Sequence, residues 1–406
     1  MEKIVVTGMG AVTPVGIGVD TYWKNITSGV SGIDTIKSFD TSDLAVQIAG
    51  EIKNFVPSDY LPKDLIRKTD PFMQYAYIAA EEAIKQSNID IVPERTGITM
   101  GTAMSGIATT AFTQDALSGA SHKKVGPRFI PKILGNIAAA NISIIYNIQG
   151  PSFTISTACS SGGDAINMAC MCIQSGKADV MIAVGAESVL CPLVIYSLAN
   201  AKALSRRNDT PKTASRPFDI TRDGFVIGEG GGALVIETEA HALARGAKIY
   251  AEIKSCGNTS DAYHVTAPHP EGRGAIACMK QALSDAKLSP SDIGYINAHG
   301  TATNKGDAVE IEAIKNIFTD KLPFVSSTKG ATGHMMGAGG ITETIACIKT
   351  IETGIIPPTI NLNEVDPECS GVDLVANTAK KAEINYAMSN AFGFGGQNSS
   401  VIVGKY

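Results

Sequence analysis

Short runs of β-branched and apolar residues alternate along this chain with stretches whose apolar positions recur at offsets of three, four and seven. The first pattern predicts strands at 4–7, 97–102, 152–157, 180–185, 233–237, 249–258, 293–298, 324–326, 386–389 and 400–403. The second predicts helices at 71–87, 130–146, 160–174, 273–287, 307–318 and 339–353. Asp70 ahead of Pro71 supplies a cap and then a first-turn proline for the earliest of these helices. Such alternation implies an α/β architecture with helices covering sheets. The order of elements recurs, with a join near 239–248, so two halves are expected, 1–240 and 241–406. No repeat is visible residue by residue. The stretch 204–223, rich in Arg, Asn, Asp, Pro and Thr, reads as a long surface loop.

The candidate chemistry sits where one strand pattern gives way to a helix pattern. Cys159 follows the run 152–157 and precedes a helix carrying Ile166, Ala169, Cys170 and Ile173. Unpaired N–H groups and the positive end of the helix dipole are expected to favour a thiolate there. Two histidines lie in small-residue loops much later: His299 in Asn297-Ala298-His299-Gly300-Thr301-Ala302-Thr303, and His334 in Ser327-Thr328-Lys329-Gly330-Ala331-Thr332-Gly333-His334. One nucleophile and two histidines suggest covalent acyl chemistry, in which neutral imidazoles donate hydrogen bonds to a developing enolate. The loop Phe392-Gly393-Phe394-Gly395-Gly396 could bring a backbone N–H to the acyl carbonyl, because glycine permits close approach. It is no dinucleotide fingerprint, since no strand–helix unit follows it.

Composition narrows the field. With 406 residues, 44% hydrophobic and 18% charged, the chain can bury a large core and is not disordered. A net charge of −5 argues against general nucleic-acid binding. Eight cysteines are scattered without metal-type spacing, and seven of them read as small buried hydrophobes in a reducing compartment. No stretch is long enough to span a membrane, and the first residues read as a strand rather than a signal peptide, so a cytoplasmic location is expected. His122, His241 and His269 read as surface or capping residues, and His264 stays open.

The segments around Cys159, His299, Lys329 to His334 and Phe392 to Gly396 resemble the four motif blocks of the condensing enzymes, in particular β-ketoacyl-[acyl-carrier-protein] synthases of type II. Ser215-Arg216-Pro217-Phe218-Asp219, the stretch 223–230 and Asp261-Ala262-Tyr263-His264-Val265-Thr266 also match, in the family's order and along the whole chain. The resemblance implies the thiolase fold, a five-layered αβαβα arrangement of two similar halves. It implies Cys159 as acyl acceptor, with His299 and His334 assisting malonyl decarboxylation and Lys329 orienting the site. The N–H groups of Cys159 and Phe394 would form the oxyanion hole, with Phe394 also the gate and Phe392, Gly393, Gly395 and Gly396 its loop. Glu343 would buttress the site, Thr301 and Thr303 would bind the phosphopantetheine arm, and Ile107 would floor the acyl pocket.

The implied reaction joins a Cys-bound acyl group to malonyl-carrier protein, giving a 3-ketoacyl product and CO₂ in fatty-acid elongation. The implied partners are acyl and malonyl carrier proteins, docking at Lys123, Lys124 and Lys202, and a second copy of the chain. Neither nucleic acid nor membrane insertion is expected. No cofactor is implied beyond the arm the carrier delivers, and no metal beyond a cation near Asn297, Glu343, Ser389 and Asn390. Ser160-Ser161 after the nucleophile departs from the fatty-acid pattern and also occurs in polyketide ketosynthases, which leaves a specialised pathway as the alternative. A non-catalytic partner subunit is disfavoured by the intact Cys159, His299 and His334.

Overall fold

The computed structural model describes residues 2–119 and 125–406. Its first half contributes strands β1 (Ile4–Thr13), β2 (Thr96–Gly101), β3 (Ser152–Ile155), β4 (Val180–Glu187) and β5 (Gly230–Thr238). The second contributes β6 (Ala251–Ser260), β7 (Ile293–Asn297), β8 (Phe324–Ser326), β9 (Tyr386–Phe392) and β10 (Gln397–Gly404). From the middle outward the first half runs β1-β5-β4-β2-β3 and the second β6-β10-β9-β7-β8, the same order strand for strand. The senses repeat too: β2 is parallel to β3 and β4, as β7 is to β8 and β9, and the other pairs within each half are antiparallel. The duplication invisible in the residues is therefore explicit in the topology. β1 and β6 pair through Ile4–Ile253, Val5–Glu252 and Val6–Ala251, making the two sheets continuous.

Helices α1 (Pro71–Ser87), α2 (Ile107–Ser118), α3 (Asn136–Tyr146) and α4 (Ser161–Gln174) belong to the first half. Helices α5 (Arg273–Ala286), α6 (Asn304–Ile317) and α7 (Gly339–Thr353) belong to the second. The capping prediction holds for α1, where the Asp70 carboxylate accepts the Phe72 N–H at 3.0 Å. α1 and α5 cover outer sheet faces, while α4 and α7 pack against each other and against strands of both halves. This central pair is the middle layer, and nearly every residue of α7 is buried. α4 follows β3 and α7 follows β8, so each central helix carries one of the candidate loops, that of Cys159 or that of His334, at its N-terminal end.

Three readings of the sequence are corrected. β1 runs on to Thr13 through Gly8 and Gly10, because those glycines lie under α1; a Cβ on Gly10 would sit 1.9 Å from the Ala79 carbonyl oxygen. The helix expected over 130–146 is broken at Leu134 and Gly135 into Phe129–Ile133 and α3. The 204–223 stretch is a surface loop only in its first part. Ser215, Phe218, Asp219 and Arg222 are buried, and Arg222 pairs with Asp307 at 3.5 Å and Asp366 at 2.6 Å. A charged, proline-containing segment looks solvated in sequence; here each of its buried charges, Arg216, Asp219 and Arg222, finds an opposite one inside the fold.

Candidate active site

The loops that follow three of the strands converge on one cavity. β3 delivers Cys159, β7 delivers His299 and β8 delivers Lys329 and His334, as expected where ligands gather outside the carboxyl ends of strands. Cys159 lies in a tight 3₁₀ turn, Ala158–Ser160, directly before α4. Ala158 is held at φ 52°, a left-handed conformation that a residue with a Cβ adopts only under constraint. The His334 backbone is clamped from both sides: its N–H donates to the Val226 carbonyl at 2.8 Å, and its carbonyl accepts from Gly228 N–H at 2.9 Å.

These loops bring the predicted trio together. His334 Nε2 lies 2.9 Å from Cys159 Sγ. The His299 and His334 rings meet edge to face at 5.3 Å, and one ligand-capable atom from each of Cys159, His299 and His334 falls within 4.8 Å of the others. Burial, aided by the Lys329 cation, lowers both imidazoles well below the ordinary histidine value, so both are neutral at pH 7. Each Nδ1 is buried without a hydrogen-bond partner among the described residues. A bare lone pair is better tolerated there than an orphaned N–H, which assigns the single proton of each ring to Nε2, facing the reaction centre.

The expectation of a resting thiolate at Cys159 is overturned. Burial pushes the thiol up to about 11, against the Phe394 N–H that donates to the sulfur and the Lys329 charge, both of which pull it down. Desolvation outweighs the helix start, so the resting sulfur carries its proton.

Lys329 and Glu343 form a fully buried ion pair behind the histidines. Glu343 is raised by burial and drawn back by Lys329. Gly393 lets the gate loop reach the nucleophile: a Cβ there would lie 2.8 Å from the Thr157 carbonyl oxygen and 3.2 Å from Cys159 N. Gly395 and Gly396 both adopt positive φ, and Gly395 N–H donates to the Val265 carbonyl at 2.7 Å. The Phe394 ring is 40% exposed at the mouth of a cavity of about 520 Å³. Cys159, His299, His334, Thr301, Thr303 and Lys202 all line this cavity. The Thr301 and Thr303 hydroxyls are 3.2 Å apart.

Other predicted residues fall differently. Ile107 packs in the apolar cluster around Cys159, and Met104 and Met336 line the cavity itself. Lys123 and Lys124 lie outside the described residues. Of the four candidate cation residues, Asn297 and Ser389 oppose each other across β7 and β9. Asn297 Oδ1 is a buried oxygen with no partner among the described residues, which fits a cation. Glu343 is committed to Lys329, and Asn390 Oδ1 accepts from Ser400 at 2.8 Å.

Sequence reasoning missed Glu310. From α6 its carboxylate accepts the His299 and Gly300 N–H groups, both at 2.8 Å, fixing the histidine loop, and burial pushes it up to about 7. The only hint was its place one helical turn after Asp307 in the helix that follows the histidine block. Ser160 and Ser161 also resolve: Ser160 Oγ donates to the Thr157 carbonyl at 2.8 Å, and Ser161 Oγ to the Ala158 carbonyl at 2.7 Å. Both hydroxyls are spent inside the nucleophile turn and neither residue lines the cavity.

Residues 1–242 match the family described as beta-ketoacyl synthase, N-terminal domain, and residues 250–363 match its C-terminal domain. The chain belongs to the β-ketoacyl synthase family. Among curated relatives, this synthase is 43% identical to the 3-oxoacyl-[acyl-carrier-protein] synthase 2 of Staphylococcus aureus (strain COL), covering 100% of this chain and 99% of that one. It is 42% identical to the enzyme of the same name from Vibrio harveyi, with the same coverage. Among solved structures, a beta-ketoacyl synthase from Burkholderia phymatum superposes with a TM-score of 0.93 at 34% identity, covering all of both chains. A ketosynthase described in complex with a type II polyketide acyl-carrier protein superposes at 0.90 with 31% identity, covering 100% of this synthase and 99% of that chain. The fold is the thiolase fold of ketosynthases.

Proposed function

We propose that this synthase catalyses the decarboxylative Claisen condensation of a Cys159-bound acyl group with malonyl-carrier protein, in fatty-acid elongation. The observation that carries the reading is the buried cluster itself: Cys159 Sγ within 2.9 Å of a neutral His334, His299 edge-on beside it, and the Phe394 N–H aimed at the sulfur. Cys159 attacks the incoming acyl thioester, the departing arm sulfur takes up the thiol proton, and the N–H groups of Cys159 and Phe394 stabilise the tetrahedral oxyanion. The malonyl group then loses CO₂. His299 and His334 donate from Nε2 to the enolate oxygen, and the enolate carbon attacks the acyl carbonyl and releases Cys159, which regains a proton. Neutral donors suit this step, because an imidazolium would surrender its proton to the enolate and quench the carbon nucleophile. Lys329 and Glu343 orient the histidines and Glu310 holds the His299 loop. The inward-turned Ser160 and Ser161 remove the sequence argument for a polyketide pathway.

The proposed partner is an acidic acyl carrier protein. Lys202, exposed at the cavity mouth, supports this, and Lys123 and Lys124 join it from sequence. The proposed assembly is a homodimer: β3 pairs on one side only among the described residues, and Phe153 on it and Ile144 on α3 are 43% and 77% exposed. No helix among the described residues is long and apolar enough to cross a membrane, and a cytoplasmic location is proposed. No step consumes a cofactor, and none passes through the cation that Asn297 and Ser389 would hold.

Intact mass after mixing with a series of acyl-carrier proteins tests the reading. Medium or long saturated chains should load Cys159 and be discharged by malonyl-carrier protein, and Cys159→Ala should stay unloaded. Loading only by short, branched or oxygenated chains would move the protein to specialised biosynthesis. No loading from any donor would refute the reading.

A further inference from the structure

The segment 215–224, which runs one residue beyond the stretch misread as a surface loop, lies directly behind the loop that carries His299, Thr301 and Thr303. Three successive carbonyls of that loop are held from it. Gly224 N–H donates to the Ala302 carbonyl at 3.1 Å. Arg222 Nε donates to the Thr303 carbonyl at 3.3 Å and its Nη2 to the Asn304 carbonyl at 2.7 Å. Arg222 is 3% exposed, and its remaining reach is taken by Asp366 at 2.6 Å and the Asp219 carbonyl at 3.0 Å. Asp307, 3.5 Å from Arg222, accepts the N–H of Ala302 at 3.1 Å and of Phe218 at 2.8 Å. Ala302, between the two threonines, is held at φ 69°. A residue with a Cβ persists there only when its surroundings over-determine it, and these contacts are what determine it.

We propose that Arg222 is a positioning residue for thioester-arm binding: its fork holds Thr303 and Asn304, beside the Gly224 and Asp307 contacts to Ala302, in the strained turn that presents both threonines to the cavity. The inference rests on the reading of Thr301 and Thr303 as the arm's partners. The arm's recognisable chemistry is its amides, which a threonine hydroxyl pairs with and an amide-free donor lacks.

The test compares acylation of Cys159 by an acyl-pantetheine thioester with acylation by an amide-free aryl thioester of the same acyl group. Arg222→Lys keeps the charge and loses the fork. Its kcat/KM with the pantetheine donor should fall roughly tenfold, as small misplacements of binding groups do, while the aryl donor and alkylation of Cys159 by iodoacetamide stay within about twofold. Thr303→Ala should discriminate between the donors in the same sense, and the double variant should lose no more than the worse single one. Equal losses with both donors in Arg222→Lys would make Arg222 merely structural and overturn the inference, even with Thr303→Ala still discriminating. A Thr303→Ala that does not discriminate would overturn the arm reading and the inference with it. Should Arg222→Lys fold poorly, Asp366→Asn loosens the same fork from its more exposed end, and the absence of donor discrimination there would equally overturn the proposal.

Discussion

Gly393→Ala is the sharpest probe of how the gate loop serves catalysis. The backbone there is extended, at φ −93° and ψ 157°, so alanine is conformationally allowed and the effect is purely one of space. The new methyl would lie 2.8 Å from the Thr157 carbonyl oxygen and 3.2 Å from both Cys159 N and the Gln397 carbonyl oxygen. All three are backbone atoms of the nucleophile turn or of the loop itself, with no side chain to swing aside. Restoring ordinary contact at 3.4 Å moves the loop about 0.6 Å, carrying the Phe394 N–H away from the sulfur. Losing an oxyanion donor outright costs roughly 10²–10³ in rate, and a 1 Å misplacement about 10². A partial shift should therefore slow acylation by roughly 10- to 100-fold, about 1.4–2.7 kcal/mol of transition-state stabilisation. Overpacking should cost about 1–3 kcal/mol of stability besides. Rapid-quench intact mass with an acyl-pantetheine donor reads the acylation rate, and iodoacetamide alkylation of Cys159 controls for access. A folded variant that acylates within about threefold of the parent would refute the argument that this close approach supplies the oxyanion hole.

Lys329→Met strands Glu343 in the interior and should cost about 3–5 kcal/mol in chemical denaturation, partly recovered in Lys329→Met/Glu343→Leu. The same change removes a cation that helps keep both histidines neutral, so the acid limb of the kcat profile should move to higher pH; an unmoved limb would contradict the role given to Lys329. The histidines also enter stability. Their folded values lie below the unfolded ones, so their contribution is present above about pH 6.5 and lost as pH falls below it, by at most about 1.4 kcal/mol per pH unit each. Glu187 and Glu310, raised to about 7, act in the opposite sense, favouring the fold below the ordinary carboxylate value and losing that contribution as pH rises through 7. The histidine effect is therefore read as the difference between parent and His299→Asn/His334→Asn from pH 7 to 5, and a difference independent of pH would rule it out. Ser160→Ala should lower stability by about 1 kcal/mol through the lost bond to Thr157 while leaving the acyl-chain profile unchanged; a changed profile would return Ser160 to the pocket.

Features that depend on neighbours along the chain could be read from the residues alone. The strands and long helices with one clear period were legible, as was the Asp70 cap. Each candidate catalytic group was legible because it stands in a short loop between a strand and a helix, where residue types and spacing carry the chemistry. Features that depend on distant partners emerged only from the packed fold. The strand order that exposes the duplication comes from pairings such as Val401 with Cys256, set by sheet register and not by local pattern. Burial decides protonation, keeping Cys159 a thiol and both histidines neutral, and burial cannot be seen in one loop alone. Glu310 looks like any helix carboxylate until the fold sets it against the His299 and Gly300 N–H groups. Arg222 reads as a solvated surface charge until Asp307 and Asp366 close around it, because a charge is cheap to bury only where the fold supplies its counter-charge.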